Sequence, residues 1–339
     1  MYTCLEKYDL AVSRYLHRAQ GNDLQPTTLD NYARRLAIFR DYLSRENVAE
    51  ITYDTVENWR DALRENGLAA STINRYLGDL SIFFTALQKH SYPAELRYAE
   101  NYVSDDFYLK EVKRPYDTII PDDKVERLWL NECPDPNFKK YWPRNYAIVV
   151  LLLSEKIRNA ELLDLRLSDV DFEYGEIVIQ SGKGRKYRVV DLEPICASAL
   201  RLYLQSGIRP LYLSDDDYLF GTTAAHEMGA RNDSGEEWHR GSRQWLTELV
   251  ERHVFAVTGV HNVRSHDLRH IGARVCLNAG QSMEMLQADL GHSSMNVTQI
   301  YADRLMPRRG RESARAVMAE RDFQAARNEA MLRLSGVAV

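Results

Sequence analysis

Several segments in the second half of the chain carry side chains that could act together on a phosphate. Apolar residues at helical spacing predict a helix from Ser265 to Gly280, and at about 100° per residue His266, Arg269 and His270 share its polar face. Guanidinium and imidazole groups can donate hydrogen bonds to phosphate oxygens. An isolated HxxR pattern is nevertheless explained as simply by a solvated helix face.

Two basic side chains of interest precede this helix in the chain. Arg158 comes just before a helix predicted from Asn159 to Leu165. Lys183 lies in the glycine-bearing turn SGKGRK, between strands predicted at Glu176 to Gln180 and at Tyr187 to Leu192. Taken singly, Arg158 is explained as a surface ion pair or a partner of the helix dipole, and Lys183 as a solvated lysine.

The segment LGHSSMNVTQIYADR follows the HxxR helix. Gly291 breaks the chain, His292 comes next, and Ser293 or Ser294 can cap a helix that carries Tyr301. Spacing alone makes Tyr301 a core aromatic residue. It is the combination of four such segments that favours a shared function.

Together the four segments resemble the sequence boxes of the tyrosine recombinase (phage integrase) family. SEKIRNAELLDLRLSDVD resembles the first arginine box, GKGRKYRVVDL the lysine hairpin, HDLRH the HxxR box, and LGHSSMNVTQIYADR the terminal histidine and tyrosine box. Their order, their approximate separations and the nine-residue step from His292 to Tyr301 match. The lead-in to Arg158 departs from the family, because residues Ser154 to Ile157 (SEKI) replace its small residue, glycine and leucine.

The resemblance implies that the protein cuts DNA with a protein nucleophile and uses no metal, ATP or other cofactor. Tyr301 would attack the scissile phosphate to give a 3′-phosphotyrosyl bond and a free 5′-hydroxyl. Arg158 and Arg269 would hold the non-bridging oxygens, and Lys183 would protonate the leaving 5′-oxygen.

Three further side chains receive roles from the same resemblance. His266 would accept the tyrosyl proton or hold the phosphate, and His292 would hydrogen-bond a non-bridging oxygen. Glu161, one helical turn after Arg158, would orient the arginines or His266. We interpret His270 as structural.

The resemblance also implies the fold, a mainly α structure with a small β-sheet in the second domain, arranged as a two-domain C-shaped DNA clamp. Periodicity by itself predicts helices in the first hundred residues and a linker where it fades. We expect a helical core-binding domain at 1–104, a linker at 105–120, a mixed α/β catalytic domain at 121–305 and a tail helix at 306–339. Within the catalytic domain, the stretch from Gly221 to Gly241 is predicted to be a surface insertion or mobile loop.

Three helices are predicted in the first domain, at Thr27 to Leu43, Asp54 to Glu65 and Ser71 to Leu87, the last capped by Ser71. Basic residues on these helices and on the lysine hairpin are candidates for DNA phosphate contacts, although an exposed charge explains each as simply. These candidates are Arg34, Arg35, Arg75, Lys89, Arg185 and Lys186.

The tail from Arg311 to Leu334 is predicted to be a helix with one apolar stripe. The stripe consists of Phe323, Ala326, Ala330, Met331 and Leu334. By resemblance this helix would dock on a neighbouring protomer, and packing against its own domain is an equal alternative.

Composition narrows the class of protein. The chain has 339 residues and a net charge of −5, which argues weakly against nucleic acid, yet residues 304–339 hold eight arginines against four acids. No apolar run approaches the roughly 20 residues of a membrane span, and no signal peptide is evident. Four scattered cysteines predict reduced thiols, a cytoplasmic location and no zinc site. The sequence contains no GxxxxGK[ST], HExxH or GxSxG motif.

The resulting prediction is a site-specific DNA recombinase, an integrase or resolvase. Its partners would be a double-stranded DNA site and three further copies of the chain on that DNA, with a monomer or weak association when free. The need for an accessory DNA-bending protein stays open. Two alternatives are a topoisomerase IB-like or telomere-resolving enzyme, and a catalytically silent DNA-binding accessory protein of the same fold.

Overall fold

The protein consists of two compact units, Met1–Arg114 and Pro115–Val339. Its computed structural model describes residues 2–21, 26–111, 120–134, 136–180, 187–223, 238–291 and 308–334. The described part is mostly helical with two small antiparallel sheets, which confirms the predicted fold class. The functional domain boundaries and the C-shaped arrangement around DNA stay predictions.

The first unit is helical. Its helices are α1 (Cys4–Gln20), α2 (Pro26–Arg45), α3 (Tyr53–Glu65) and α4 (Ala70–Leu87). Helix α1 was not delineated by periodicity, and it begins at a capping box in which Thr3 Oγ1 accepts from the Glu6 N–H while the Glu6 carboxylate accepts from the Thr3 N–H. The predicted cap Ser71 is instead an internal residue of α4, whose N-cap, Ala69, makes no side-chain bond.

The core of the first unit is rich in aromatic side chains. Tyr8 of α1 packs edge-to-face on Phe39 of α2 and Phe83 of α4, with ring centroids 5.6 and 5.4 Å apart. The chain beyond α4 also joins this core, because Phe107 is buried in it and Leu109 exchanges two backbone hydrogen bonds of 2.8 Å with the Asn74 side chain.

The second unit places most of its helices around one long apolar core. Its helices are α5 (Asp122–Val125), α6 (Trp142–Ser154), α7 (Asn159–Asp164), α8 (Pro194–Gln205), α9 (Arg243–Thr258), α10 (Ser265–Ala279), α11 (Met283–Leu290) and α12 (Arg308–Leu334). Helix α6 is at the centre, since nearly every one of its side chains is buried. Helix α10 ends at Gly280, as predicted, with φ of 114°.

Two antiparallel sheets complete the second unit. The three-stranded sheet has the order β1 (Val170–Asp171), β2 (Glu176–Ile179), β3 (Arg188–Asp191). Its side chains alternate, so Ile177 faces the core beside Val190, its partner in the register. Strands β4 (Gly221–Thr223) and β5 (Trp238–Arg240) pair at the two ends of the predicted insertion, of which residues 224–237 lie outside the described part.

Helices α6 and α10 touch at their backbones. A Cβ atom added to Gly272 of α10 would lie 1.8 Å from the carbonyl oxygen of Leu153 near the end of α6. Only glycine permits this approach. The contact fixes the position of α10, which carries the HxxR residues, against the helix that leads to Arg158.

Helix α12 packs on its own unit, mainly against α8 and α10, and with a different face from the predicted one. Phe323 and Met331 of the predicted apolar stripe are 64% and 48% exposed, Ala326 and Ala330 are exposed too, and the Leu334 side chain lies outside the described part. The buried face consists of Ala314, Val317, Gln324, Ala325, Asn328 and Leu332.

Hydrogen bonds explain why a polar face of α12 is buried. Asn328 Nδ2 lies 3.3 Å from both Tyr146 Oη and Ser198 Oγ, and Asn328 Oδ1 accepts from Gln324 Nε2 at 2.9 Å. A buried amide with such partners avoids the cost of desolvation. Hydrophobic periodicity therefore indicated the wrong face.

In the residues that the structure describes, no helix is both long and apolar enough to span a membrane. All four cysteines are free thiols.

Candidate active site

Arg158 is the N-cap residue of α7 and forms hydrogen bonds with Glu161 in the first turn of that helix. The Glu161 carboxylate accepts from the Arg158 backbone N–H and from Arg158 Nη1, both at 2.8 Å. Arg158 Nη2 donates to the Gly291 carbonyl at 2.7 Å. The Arg158 side chain is 36% exposed, so its guanidinium is held on one side and open on the other.

Arg188, the first residue of β3, binds the same carboxylate. Its Nη1 and Nη2 donate to the two oxygens of Glu161 at 2.6 and 3.0 Å. Burial alone would raise the pKa of Glu161, but the hydrogen bonds and charges of Arg188 and Arg158 outweigh it and lower that pKa to about 2. Glu161 is therefore an anion that joins α7 to the strand leading out of the lysine hairpin.

Arg269 lies in the first half of α10 and is only 2% exposed. Its Nη1 donates to the carbonyl of Lys156, and its Nη2 donates to the carbonyl of Leu290 at 2.5 Å. Both of these acceptors are backbone oxygens, which orient the guanidinium.

His266 is partly exposed near the start of α10, and its ring lies 4.4 Å from that of His270 in an edge-to-face arrangement. Partial burial lowers the pKa of His266, and the positive charges of Arg269 and Arg158 lower it further. The imidazole is therefore mainly neutral at pH 7 and able to accept a proton.

The end of α11 brings the two arginines together. Arg269 binds the carbonyl of Leu290 and Arg158 binds that of Gly291, so two guanidiniums distant in the sequence are fixed by consecutive peptide groups. Gly291 adopts φ of 58°, and a Cβ there would lie 3.0 Å from the Arg188 side chain. The next residue in the sequence is His292.

Four of the predicted site residues thus meet in the structure, namely Arg158, Glu161, His266 and Arg269. Their roles stay predictions. The remaining candidates of this unit, Lys183, Arg185, Lys186, His292 and Tyr301, lie outside the described residues.

The basic candidates of the first unit differ in their surroundings. Arg35 forms a 2.5 Å ion pair with Asp79, and its side chain is 19% exposed, so its charge is already compensated. Arg34 is exposed and donates to Asn31 Oδ1 at 2.5 Å. Arg75 and Lys89 are exposed. Their DNA contacts stay predictions.

Arg188 is the site residue that reasoning from the sequence missed. A signal was present, because side chains two residues apart on a strand share a face and Val190 is buried. Arg188 therefore had to point inward from β3, where a buried arginine requires an anion.

Comparison with known proteins places these features in a family. The profile of the phage integrase family matches residues 120–308, and that of its N-terminal SAM-like domain matches residues 13–90. The tyrosine recombinase XerC of Oceanobacillus iheyensis is 30% identical over 305 residues, covering 88% of this chain and 92% of the relative. The tyrosine recombinase XerD of Rickettsia bellii is 26% identical, covering 82% and 88%.

Solved structures share the fold. The XerH site-specific recombinase bound to a palindromic difH substrate has a TM-score of 0.66 at 23% identity, covering 85% of this chain and 79% of that one. The Tn1549 transposon integrase in complex with transposon right-end DNA has a TM-score of 0.62 at 18% identity, covering 94% and 99%.

The chain belongs to the phage integrase family. Its relatives are tyrosine recombinases, and the prediction of a tyrosine site-specific DNA recombinase is confirmed. The topoisomerase-like and catalytically silent alternatives are not favoured by these relatives.

Proposed function

We propose that the chain cuts and rejoins double-stranded DNA at a defined site, with Tyr301 as the nucleophile and with Arg158 and Arg269 holding the scissile phosphate. The observation that carries the proposal is that two consecutive carbonyls at the end of α11, directly before His292 in the chain, bind both guanidiniums, and that the charges of both guanidiniums act on His266.

The reaction is a pair of transesterifications. Tyr301 Oη attacks the phosphorus, a P–O bond to tyrosine forms, and the P–O5′ bond breaks to leave a 3′-phosphotyrosyl linkage and a 5′-hydroxyl. In the second step a 5′-hydroxyl of the partner duplex attacks the same phosphorus and releases Tyr301. The number of phosphodiester bonds is conserved, so the chemistry requires neither ATP nor a metal cofactor.

Charge and proton transfer divide among the surrounding side chains. Negative charge on the non-bridging oxygens of the pentavalent transition state is stabilised by Arg158, Arg269 and a hydrogen bond from His292. His266, neutral at pH 7, accepts the tyrosyl proton, and Lys183 gives a proton to the 5′-oxygen. Glu161 orients Arg158 and does not touch the phosphate.

The burial of Arg269 has a consequence for this scheme. Arg269 is only 2% exposed and offers a phosphate little free surface, whereas Arg158 is open. We therefore expect DNA binding to uncover Arg269 while its two carbonyl acceptors keep its orientation.

The assembly follows from one active site cutting one strand. Recombination of two duplexes requires four cuts and hence four copies of the chain on DNA.

The proposed compartment is the cytoplasm, which agrees with four free cysteines. Phosphate contacts from both units would supply most of the affinity.

Capture of protein-linked DNA tests the nucleophile and the target together. Cells that naturally carry the gene are lysed in denaturant, DNA attached to the protein is recovered, and the DNA is sequenced for wild type, Tyr301→Phe and the matched control Tyr174→Phe. Tyr174 is 77% exposed in a turn between β1 and β2, so its hydroxyl serves no role in the proposal.

We expect trapped DNA from one discrete site in wild type and Tyr174→Phe, and none from Tyr301→Phe. Adducts scattered over the genome would favour a topoisomerase-like enzyme instead. A well-expressed wild type that binds DNA without forming adducts would refute the proposal and favour a silent binding protein.

A further inference from the structure

Lys156 occupies a backbone position that lysine rarely adopts. Its φ is 54°, in the left-handed region usually filled by glycine or asparagine, and the residue is only 5% exposed. It stands where the arginine box that this segment resembles has a glycine. A buried lysine with an unfavourable backbone conformation needs compensating interactions.

The Lys156 ammonium has such interactions on two sides. Its Nζ donates to the Ser154 carbonyl at 2.5 Å and lies 3.6 Å from Asp289 Oδ2. Asp289 is itself held, because the same oxygen accepts from Gln281 Nε2 at 2.7 Å. Burial alone would lower the pKa of Lys156, but nearby Cys276 and the carboxylates, led by Asp289, raise it, so the lysine stays charged.

The ion pair connects the two chain segments that orient the arginines. One segment supplies the Lys156 carbonyl, which accepts from Arg269. The other, directly after Asp289, supplies the carbonyls of Leu290 for Arg269 and of Gly291 for Arg158. Lys156 therefore bonds to Arg269 through its carbonyl and to the second segment through its ammonium.

We propose that Lys156 is a positioning residue for the recombination reaction, whose ion pair with Asp289 sets the separation of the two carbonyls that orient Arg269. The same pair fixes the end of α11, from which the chain continues to His292 and Tyr301. The inference rests on the proposed phosphate-binding roles of Arg158 and Arg269.

A purely structural lysine would behave differently. Replacing such a lysine would lower the stability of the fold without changing the rate at which the folded, DNA-bound enzyme cleaves DNA. A positioning residue changes that rate, because a misplacement of about 1 Å can cost on the order of 100-fold. The rate of DNA cleavage at saturating enzyme, measured apart from DNA affinity, separates the two roles.

The experiment compares wild type with four variants that break the ion pair. They are Lys156→Met, which keeps the aliphatic stem, Lys156→Gly, which suits the left-handed backbone, Asp289→Asn, and the double variant Lys156→Met/Asp289→Asn. The probe is a duplex carrying the site recovered from wild-type adducts, nicked so that the cleaved fragment dissociates and the adduct accumulates. Adduct formation is timed at saturating enzyme, and the dissociation constant is measured separately.

We expect each single variant to form the adduct about 10- to 100-fold more slowly, with DNA affinity within about threefold of wild type. The double variant should be no slower than the slower single variant, because both changes remove one interaction. Lys156→Arg should recover most of the rate. The control Arg201→Met breaks the 2.9 Å ion pair with Glu329 between α8 and α12 and should leave the rate within about twofold.

Two results would overturn the inference. One is an unchanged rate at saturation in both Lys156→Gly and Asp289→Asn. The other is a double variant in which the two losses multiply, because independent effects would exclude a shared ion pair. If wild type itself forms no adduct, the proposed function fails; if wild type reacts and the Lys156 variants match it, only this inference fails.

Discussion

The backbone contact between α6 and α10 predicts a severe effect for the smallest side chain that can be added. In Gly272→Ala the new Cβ would lie 1.8 Å from the Leu153 carbonyl oxygen. Cβ atoms in proteins essentially never come within 3.0 Å of another heavy atom, so the helices must separate by about 1.2 Å or more. A side-chain rotation cannot relieve the clash, because the Leu153 oxygen belongs to the backbone.

The expected loss has two parts. Overpacking of this kind costs about 3 kcal/mol of unfolding free energy. Separation of the helices also withdraws Arg269, one turn before Gly272, from the Lys156 carbonyl that follows the end of α6. A displacement of this size should slow adduct formation by about 100-fold or more in the protein that stays folded.

Urea unfolding and peptide-resolved amide hydrogen exchange would measure the first part, and adduct formation the second. The control is Gly78→Ala in α4, where a Cβ meets nothing within 4 Å. There the substitution should stabilise the helix by about 0.5–1 kcal/mol. Equal protection of α10 in Gly272→Ala and wild type, with equal rates, would show that the helices do not touch in this way.

Three further predictions concern groups buried in the second unit. Glu161→Gln should lower the free energy of unfolding by about 3 kcal/mol at pH 7. The pKa of Glu161 falls from 4.5 to about 2 on folding, so its ionised form stabilises the folded state above pH 4.5, and this stabilisation is lost as pH falls toward 2. An unchanged acid unfolding curve would contradict this prediction. His253, stacked on Trp142 with its pKa lowered by burial to about 3, should destabilise the fold as pH falls below 6.5, and His253→Phe should remove that dependence between pH 7 and 5. Asn328→Leu should loosen α12, because Tyr146 and Ser198 lose a buried partner, and should speed proteolytic release of the tail by about tenfold or more; equal release rates would refute this.

The helices whose buried face could be predicted from the sequence are those in which that face is apolar. Helices α2 to α4 have such faces, and periodicity located them to within a few residues. Helix α1 buries Tyr8, Ala11, Tyr15 and Ala19 at helical spacing, so this helix could have been predicted from the sequence although it was not. Helix α12 buries Gln324 and Asn328, and only tertiary hydrogen bonds explain why that face packs inward.

The site could be predicted only where residue identity matches a motif. Arg158, Glu161, His266 and Arg269 came from the resemblance, and the structure brings them together. The groups that bind the arginines could not be predicted from the sequence, because they are the backbone carbonyls of Leu290 and Gly291 and every residue has such a carbonyl. The ion pair of Lys156 likewise depends on a backbone conformation that no spacing rule predicts.

This use of backbone acceptors bears on how a chain with a net charge of −5 can act on DNA. Glu161 is one anion shared by Arg158 and Arg188, which leaves a positive charge of about one at that cluster. Arg269 is oriented by two neutral carbonyls. Under the proposed function, the positive charge of the cluster of Arg158, Glu161 and Arg188 would act on the transition state, while the net charge of the chain would act only on the approach of DNA from a distance.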